Sequence, residues 1–234
     1  MSVILVFLLV VAGIAAWWLS HQRLMSKPWL EQGISAALPE NDVTGMPTAK
    51  VGLGVFLAVV GALFALFASA FFMRMDLSDW QAPPVPQLVW LNTGVLALSS
   101  VALHCAVLAA RKGDVGTTKL ALVAGGLTAL AFLLGQLLAW RELSATGYFL
   151  RTNPANGFFY LLTGVHGLHI VGGLAALART TARTWSGPAN EKLRLGVELC
   201  AMYWHFLLLI WFAIVILLAG WASDFIDICR QLLN

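Results

Sequence analysis

Long apolar stretches separated by short polar connections dominate the pattern of this sequence. A helix needs about 20 mostly apolar residues to cross the hydrocarbon core of a membrane. Six stretches reach that length, at residues 2–20, 51–73, 86–110, 118–140, 154–178 and 196–221. The pattern therefore predicts an all-α, polytopic membrane helical bundle with six transmembrane helices, here called spans one to six.

The connections divide these spans into one plus five. The first connection is the longest, and Pro39, Gly45 and Pro47 in it are unfavourable for a helix. We predict an N-terminal anchor helix at 1–22, a cytoplasmic linker at 23–50 and a five-helix membrane domain at 51–234. Span one lacks a basic leading segment and has Trp17 and Trp18 where a cleavage site would lie, so we interpret it as a retained anchor.

The composition agrees with a protein that faces lipid. Of 234 residues, 60% are hydrophobic and 11% are charged, whereas a soluble domain has about 25% charged residues. The net charge is +3, and no Lys/Arg cluster typical of nucleic-acid binding is present. We therefore expect no nucleic-acid partner.

The basic residues favour one orientation. Ten of the 14 Lys and Arg residues follow spans one, three and five: Arg23, Lys27, Lys50, Arg111, Lys112, Lys119, Arg179, Arg183, Lys192 and Arg194. The other four are Arg74, Arg141, Arg151 and Arg230. The positive-inside rule then places the first group in the cytoplasm and both termini on the outer side.

Polar side chains at membrane depth are costly and require a partner or a function. The candidates are His104, Gln136, His166, His169, Glu198 and His205. His166 and His169 share a face of span five, and Glu198 and His205 lie two turns apart on span six. We expect His166, His169, Glu198 and His205 to form a polar seam between these spans that faces protein. A hydrogen-bond network is the plain interpretation; a lipid headgroup site near Glu198 or a proton relay are the alternatives.

Other chemistry has little support in the sequence. Cys105, Cys200 and Cys229 are far apart and have no metal-ligand spacing. No hydrolase triad, phosphate loop or carboxylate pair occurs, so we expect no catalytic residues and no metal or cofactor ligands. Small residues that allow close helix packing follow two spans: Gly54, Ala58, Ala62, Gly61, Ala65 and Ser69 in span two, and Gly164, Gly167, Gly172 and Gly173 in span five.

Motifs in the last two spans carry a family resemblance. Span five reads TGVHGLHI from Thr163 to Ile170, and span six has Glu198 seven residues before His205 and Trp211 six residues after it. These motifs resemble the TG-x-HGLHV and Glu…WHF…Trp patterns of subunit III of haem-copper terminal oxidases, the cytochrome c oxidase subunit 3 family. Leu91-Asn92-Thr93 and Gln136 resemble further motifs of that family, in the same order.

The sequence also departs from the family pattern. Span two lacks the membrane-embedded glutamate that many members carry, and Ala139 and Leu208 replace acidic residues of two motifs. Only one span precedes the five-helix part, where most members have two. These departures suggest a divergent bacterial branch.

The resemblance implies a non-catalytic structural subunit of a proton-pumping oxidase in the bacterial inner membrane. Such a subunit holds no cofactor itself, packs on subunit I and near subunit II, whose haems and copper reduce O2, binds phospholipid, and supports proton uptake and turnover stability. Possible headgroup contacts here are Arg179, Arg183 and Arg194.

Three alternatives stay open at this stage. The chain could serve a quinol oxidase or a nitric oxide reductase instead. It could be a haem-binding quinol oxidoreductase subunit that uses His104, His166, His169 and His205 as ligands. A secondary transporter is the third, although inverted repeats are not visible in the sequence.

Overall fold

The computed structural model describes residue 13, residues 48–186 and residues 191–221. Five helices long and apolar enough to cross a membrane lie in these ranges. They are α1 (Thr48–Met75), α2 (Gln87–Arg111), α3 (Val115–Ala145), α4 (Pro154–Ser186) and α5 (Glu191–Leu218). They confirm spans two to six and the all-α membrane bundle.

The count of six spans is not reproduced in the described part, because span one falls almost wholly outside it. Residue 13, in span one, is helical. The chain divides into two compact units, Met1–Gly45 and Met46–Asn234, and all five helices belong to the second. The predicted boundaries at residues 22 and 50 stay predictions.

Local signals explain where the helices begin. Asp114 caps α3, since its carboxylate accepts the Thr117 backbone N–H at 3.0 Å. A hydrogen bond from the Thr117 hydroxyl, together with that backbone bond, holds the pKa of Asp114 below its ordinary value. Gly113, with φ of 75°, supplies the left-handed residue that the tight turn from α2 requires. Asn153 accepts the Ala155 backbone N–H at 2.8 Å and so caps α4.

Helices α4 and α5 each pack against three others. Helix α5 packs against α1, α2 and α4, and α4 packs against α1, α3 and α5. Trp204, Leu207 and Trp211 of α5 are completely buried. The outward sides carry apolar residues such as Leu66, Leu120 and Leu168, which are 69%, 72% and 68% exposed. Such a surface suits lipid rather than water.

Glycines allow the closest helix contacts. A methyl group at Gly173 would lie 2.6 Å from a ring carbon of Tyr203, so α4 approaches α5 only because the side chain is absent. The same holds at Gly125, where Leu103 of α2 would lie 2.9 Å away. The packing prediction is confirmed for Gly173 and Gly164, whereas Gly54 and Gly172 have no atom within 4 Å to pack against among the described residues.

Candidate functional site

A charge cluster joins three helices at one end of the bundle, here called the basic end. Lys50 Nζ of α1 lies 2.8 Å from Glu198 Oε2, and Arg111 of α2 lies 3.1 Å from Glu198 Oε1. Arg194, one turn before Glu198, is 3.6 Å away. The Glu198 side chain is only 12% exposed, so these charge-assisted contacts fix the ends of α1, α2 and α5 together.

The cluster carries more positive than negative charge. Three cations surround one carboxylate, and the side chains of Arg111 and Arg194 are each 52% exposed. Exposed cations at a membrane surface attract anionic groups. The basic end can therefore hold the bundle together and still present positive charge outward.

His166 lies in a different environment, the completely buried centre of the bundle. Its ring lies 5.0 Å from that of Trp211, 5.8 Å from that of Phe132 and 6.3 Å from that of Phe64, centroid to centroid. Neither ring nitrogen has a hydrogen-bond partner among the described residues. The imidazole here acts as a packing element between α1, α3 and α5.

Polar side chains of α2 and α3 lie beside this aromatic centre. Trp211 Nε1 donates to Thr93 Oγ1 at 2.9 Å, and Asn92 Nδ2 donates to the Phe132 carbonyl at 3.5 Å. Gln136 is buried, and its amide has no partner in the described part of the chain. Asn92 and Thr93 of the Leu-Asn-Thr motif thus bond to Phe132 and Trp211, whose rings pack against His166. Leu91 of the same motif is exposed.

His169 is held by backbone contacts. Its Nδ1 lies 2.8 Å from the carbonyl oxygen of Val165, one turn earlier. Tyr203 of α5 donates its hydroxyl to the His169 carbonyl at 2.9 Å. The link between α4 and α5 at this point therefore runs through tyrosine and the backbone.

His205 lies on an exposed face between α2 and α5. Its Nδ1 hydrogen-bonds with the buried Ser100 hydroxyl of α2. The exposed His104 ring lies 5.6 Å from that of His205, centroid to centroid. Two imidazoles from neighbouring helices thus meet on the outside of the bundle.

The structure does not bring the four predicted residues into one seam. His166 and His169 belong to the α4 contacts, whereas Glu198 and His205 lie on the side of α5 that faces α2. The expectation of a polar seam between spans five and six is wrong, because Tyr203, Trp204 and Trp211 fill the α4–α5 contact. Ser100, Lys50 and Arg111 are the partners that the sequence analysis missed.

The opposite end of the bundle is held by loop contacts. Arg74 makes a paired salt bridge with Asp79, and Asn153 donates to the Asp79 carbonyl at 3.2 Å. The Arg74 guanidinium holds the pKa of Asp79 below its ordinary value. These contacts tie the loop after α1 to the loop before α4.

The remaining predicted residues lie on the surface near the basic end. Arg179 and Arg183 are exposed on the last turns of α4. Lys119 lies over the Trp185 ring at 5.3 Å. An apolar groove of about 430 Å³ between α3 and α4 begins beside Trp185 and is lined by Leu122, Gly126, Leu130 and Leu177.

Comparison with known proteins gives the family. The family model described as cytochrome c oxidase subunit III matches residues 40–223. The chain belongs to the cytochrome c oxidase subunit III family. The match covers all five helices and the motif residues identified in the sequence.

Individual relatives agree with this membership. The chain is 35% identical to cytochrome c oxidase subunit 3 of Thermostichus vulcanus over 72% of this chain and 85% of the relative. It is 32% identical to a probable cytochrome c oxidase subunit 3 of Mycobacterium bovis, over 70% of this chain and 84% of the relative. It is 31% identical to cytochrome c oxidase subunit 3 of Synechocystis sp., over 84% of this chain and 89% of the relative. These matches do not favour the quinol oxidoreductase or transporter alternatives.

Proposed function

We propose that this chain is the non-catalytic structural subunit of a cytochrome c oxidase, packed on subunit I and close to subunit II. The observation that carries this proposal is the family membership together with the position of the motif residues. His166, Trp211 and Asn92 lie in helix–helix contacts, and Glu198 ties helix ends together. Such an arrangement suits a rigid support for a partner.

Haems and copper belong, in this proposal, to the partner subunits. Three histidines of the described helices have contacts within the chain. His166 is packed among aromatic rings, His169 contacts backbone, and His205 contacts Ser100. Among the described residues no group of three or more His, Cys, Asp or Glu side chains is placed to hold a metal ion.

We place the basic end in the cytoplasm of a bacterium and the protein in the inner membrane. The positive-inside rule supports this orientation, and the structure gathers Lys50, Arg111 and Arg194 at one end of the helices. Phospholipid fits two features there. The exposed Arg179 and Arg183 suit an anionic headgroup, and the apolar groove that starts at Trp185 suits an acyl chain.

Purification of the chain from its native membranes tests the proposal. An affinity-tagged chain, extracted in mild detergent, should bring down subunits I and II and show haem bands in a reduced-minus-oxidised difference spectrum. Mass spectrometry of the same sample identifies the subunits and the bound phospholipid. Recovery of the folded chain without haem-bearing or copper-bearing partners would contradict the proposal. Haem bound to the chain after the partners are removed would contradict the absence of cofactors.

A further inference from the structure

The exposed face between α2 and α5 differs from the exposed side of α3. We define the α2–α5 face by Val101, His104, His205 and Leu209, all exposed. His104 lies seven residues before Arg111 and His205 seven residues after Glu198, and Arg111 contacts Glu198. At 1.5 Å per residue, both imidazoles lie about 10 Å into the bundle from that ion pair.

Hydrocarbon is a poor environment for these two rings. A hydrogen-bonding group in lipid without a partner is unfavourable. Ser100 satisfies Nδ1 of His205, which leaves Nε2, on the far edge of the ring, with its own hydrogen-bonding capacity. In the described part of the chain, His104 has a ring contact with His205 and no hydrogen bond.

Another face of the same bundle shows what plain lipid exposure looks like. Along α3, every exposed residue from Leu120 to Leu138 is apolar: Leu120, Val123, Leu127, Leu130, Ala131, Leu134, Leu137 and Leu138. The α2–α5 face has apolar neighbours too, with Val101 59% and Leu209 64% exposed. The α2–α5 face differs from the α3 face because it exposes two imidazoles, whereas α3 exposes only apolar side chains from Leu120 to Leu138.

We propose that the α2–α5 face is the docking surface for a membrane-spanning helix of the haem-bearing oxidase subunit. The helix is apolar except for a hydrogen-bonding side chain opposite His104 and His205 and an acidic side chain about two turns away, opposite Arg111 and Arg194. This inference rests on the proposed function and adds to it the face that makes the contact.

Charge complementarity selects this occupant. Arg111 and Arg194 are half exposed at the basic end of the face. They share one carboxylate, that of Glu198, so the net charge at this end of the face is positive. A second copy of this chain in the same membrane would bring its own basic end to the same level, and like charges would repel. A lipid acyl chain offers no hydrogen bond at the depth of His205. An acidic partner helix satisfies both requirements.

Site-specific photo-crosslinking in intact membranes tests the proposal. Val101→benzoylphenylalanine and Leu209→benzoylphenylalanine place the probe on the α2–α5 face. Leu127→benzoylphenylalanine and Leu134→benzoylphenylalanine are matched controls on α3, with 61% and 63% exposure in the native chain. We expect the first pair to yield a covalent adduct with the haem-bearing subunit several-fold more than the controls, and mass spectrometry to place the adduct in a membrane span with an acidic residue near its end.

Each other outcome overturns the proposal. Adducts mainly with a second copy, with lipid, or with another segment of this chain would show a different occupant. Adducts with the haem-bearing subunit that arise equally or preferentially from the α3 positions would show that another face docks; the proposed function would then stand and this inference would fall. If the tagged chain purifies without any haem-bearing subunit, the proposed function itself fails.

Discussion

His166 and His205 belong to the two most distinctive motifs of the sequence, yet they occupy opposite kinds of region. His166 is completely buried among Trp211, Phe132 and Phe64. His205 is exposed and hydrogen-bonded to Ser100. One region is closed within the chain, and the other is open toward the membrane.

The difference shows that motif residues divide between two tasks. The inner region gains its stability from packing, so its effects appear in the isolated chain. The α2–α5 face holds polar groups that the chain satisfies only in part, so its effects should appear in the assembled complex. Substitutions in each region can separate these tasks.

Loss of Trp211 should have the largest effect on the isolated chain. Trp211→Ala removes a completely buried indole and its hydrogen bond to Thr93. We expect the free energy of unfolding in detergent to fall by about 3–5 kcal/mol. The neighbouring Phe212→Ala, at a ring that is 44% exposed, is the control and should cost much less. Equal losses for both variants, measured by SDS titration, would break the distinction between the inner region and the surface.

Added volume should be the next most damaging change. In Gly135→Ala the new methyl group would overlap the Asn92 side chain, which is itself buried. Overpacking of this kind costs about 1–3 kcal/mol. Gly94→Ala is the matched control, because no atom of the described chain lies within 4 Å of a methyl group at that position. The ratio of folded to unfolded chain under the same SDS titration should fall for Gly135→Ala alone.

Removal of the Glu198 charge should have an effect of similar or smaller size. Glu198→Gln leaves Lys50, Arg111 and Arg194 without their shared carboxylate, and we expect a loss of about 1–3 kcal/mol. The exposed Glu142 provides the control substitution Glu142→Gln, which should change little. Unchanged stability of Glu198→Gln would contradict the role of this cluster in holding the helix ends together.

The imidazole of His166 should be almost dispensable for stability. Because its ring nitrogens have no partner among the described residues, His166→Leu exchanges an unsatisfied polar ring for an apolar side chain. The change should stay within about 1 kcal/mol and can be stabilising. His166→Asn keeps a buried polar group in less volume and should be clearly less stable. If the leucine variant were the less stable of the two, a hydrogen bond to His166 would have to exist.

The sequence predicted the bundle well because hydropathy reports the hydrocarbon core directly. The five spans lie inside α1 to α5 except at Pro86, the first residue of span three, and at the last few residues of span six. The predicted spans are shorter than the helices where polar residues continue a helix beyond the apolar run. Span four, predicted at 118–140, is part of Val115–Ala145. Span five, predicted at 154–178, is part of Pro154–Ser186.

The partners of the site residues were harder to predict. The polar residues of spans five and six suggested that α4 and α5 are neighbours, which is correct, but they gave no sign that α5 also packs on α1 and α2. Lys50 and Arg111 therefore served only as orientation signals, although they bind Glu198. Helical spacing placed Glu198 and His205 on one side of α5 without identifying α2 as the helix they face.

The most direct measurement is the haem recovered per tagged chain for His205→Leu beside His166→Leu. His166→Leu should keep the stability of the isolated chain, because neither ring nitrogen of His166 has a hydrogen-bond partner among the described residues. His205→Leu removes the hydrogen bond to the buried Ser100 hydroxyl, so its stability in detergent is measured beside its haem recovery. His205→Leu should lower the haem that co-purifies with the chain, or shorten the lifetime of turnover, while His166→Leu retains wild-type recovery. Wild-type haem recovery and turnover lifetime for His205→Leu would contradict the assignment of the α2–α5 face to the partner subunit.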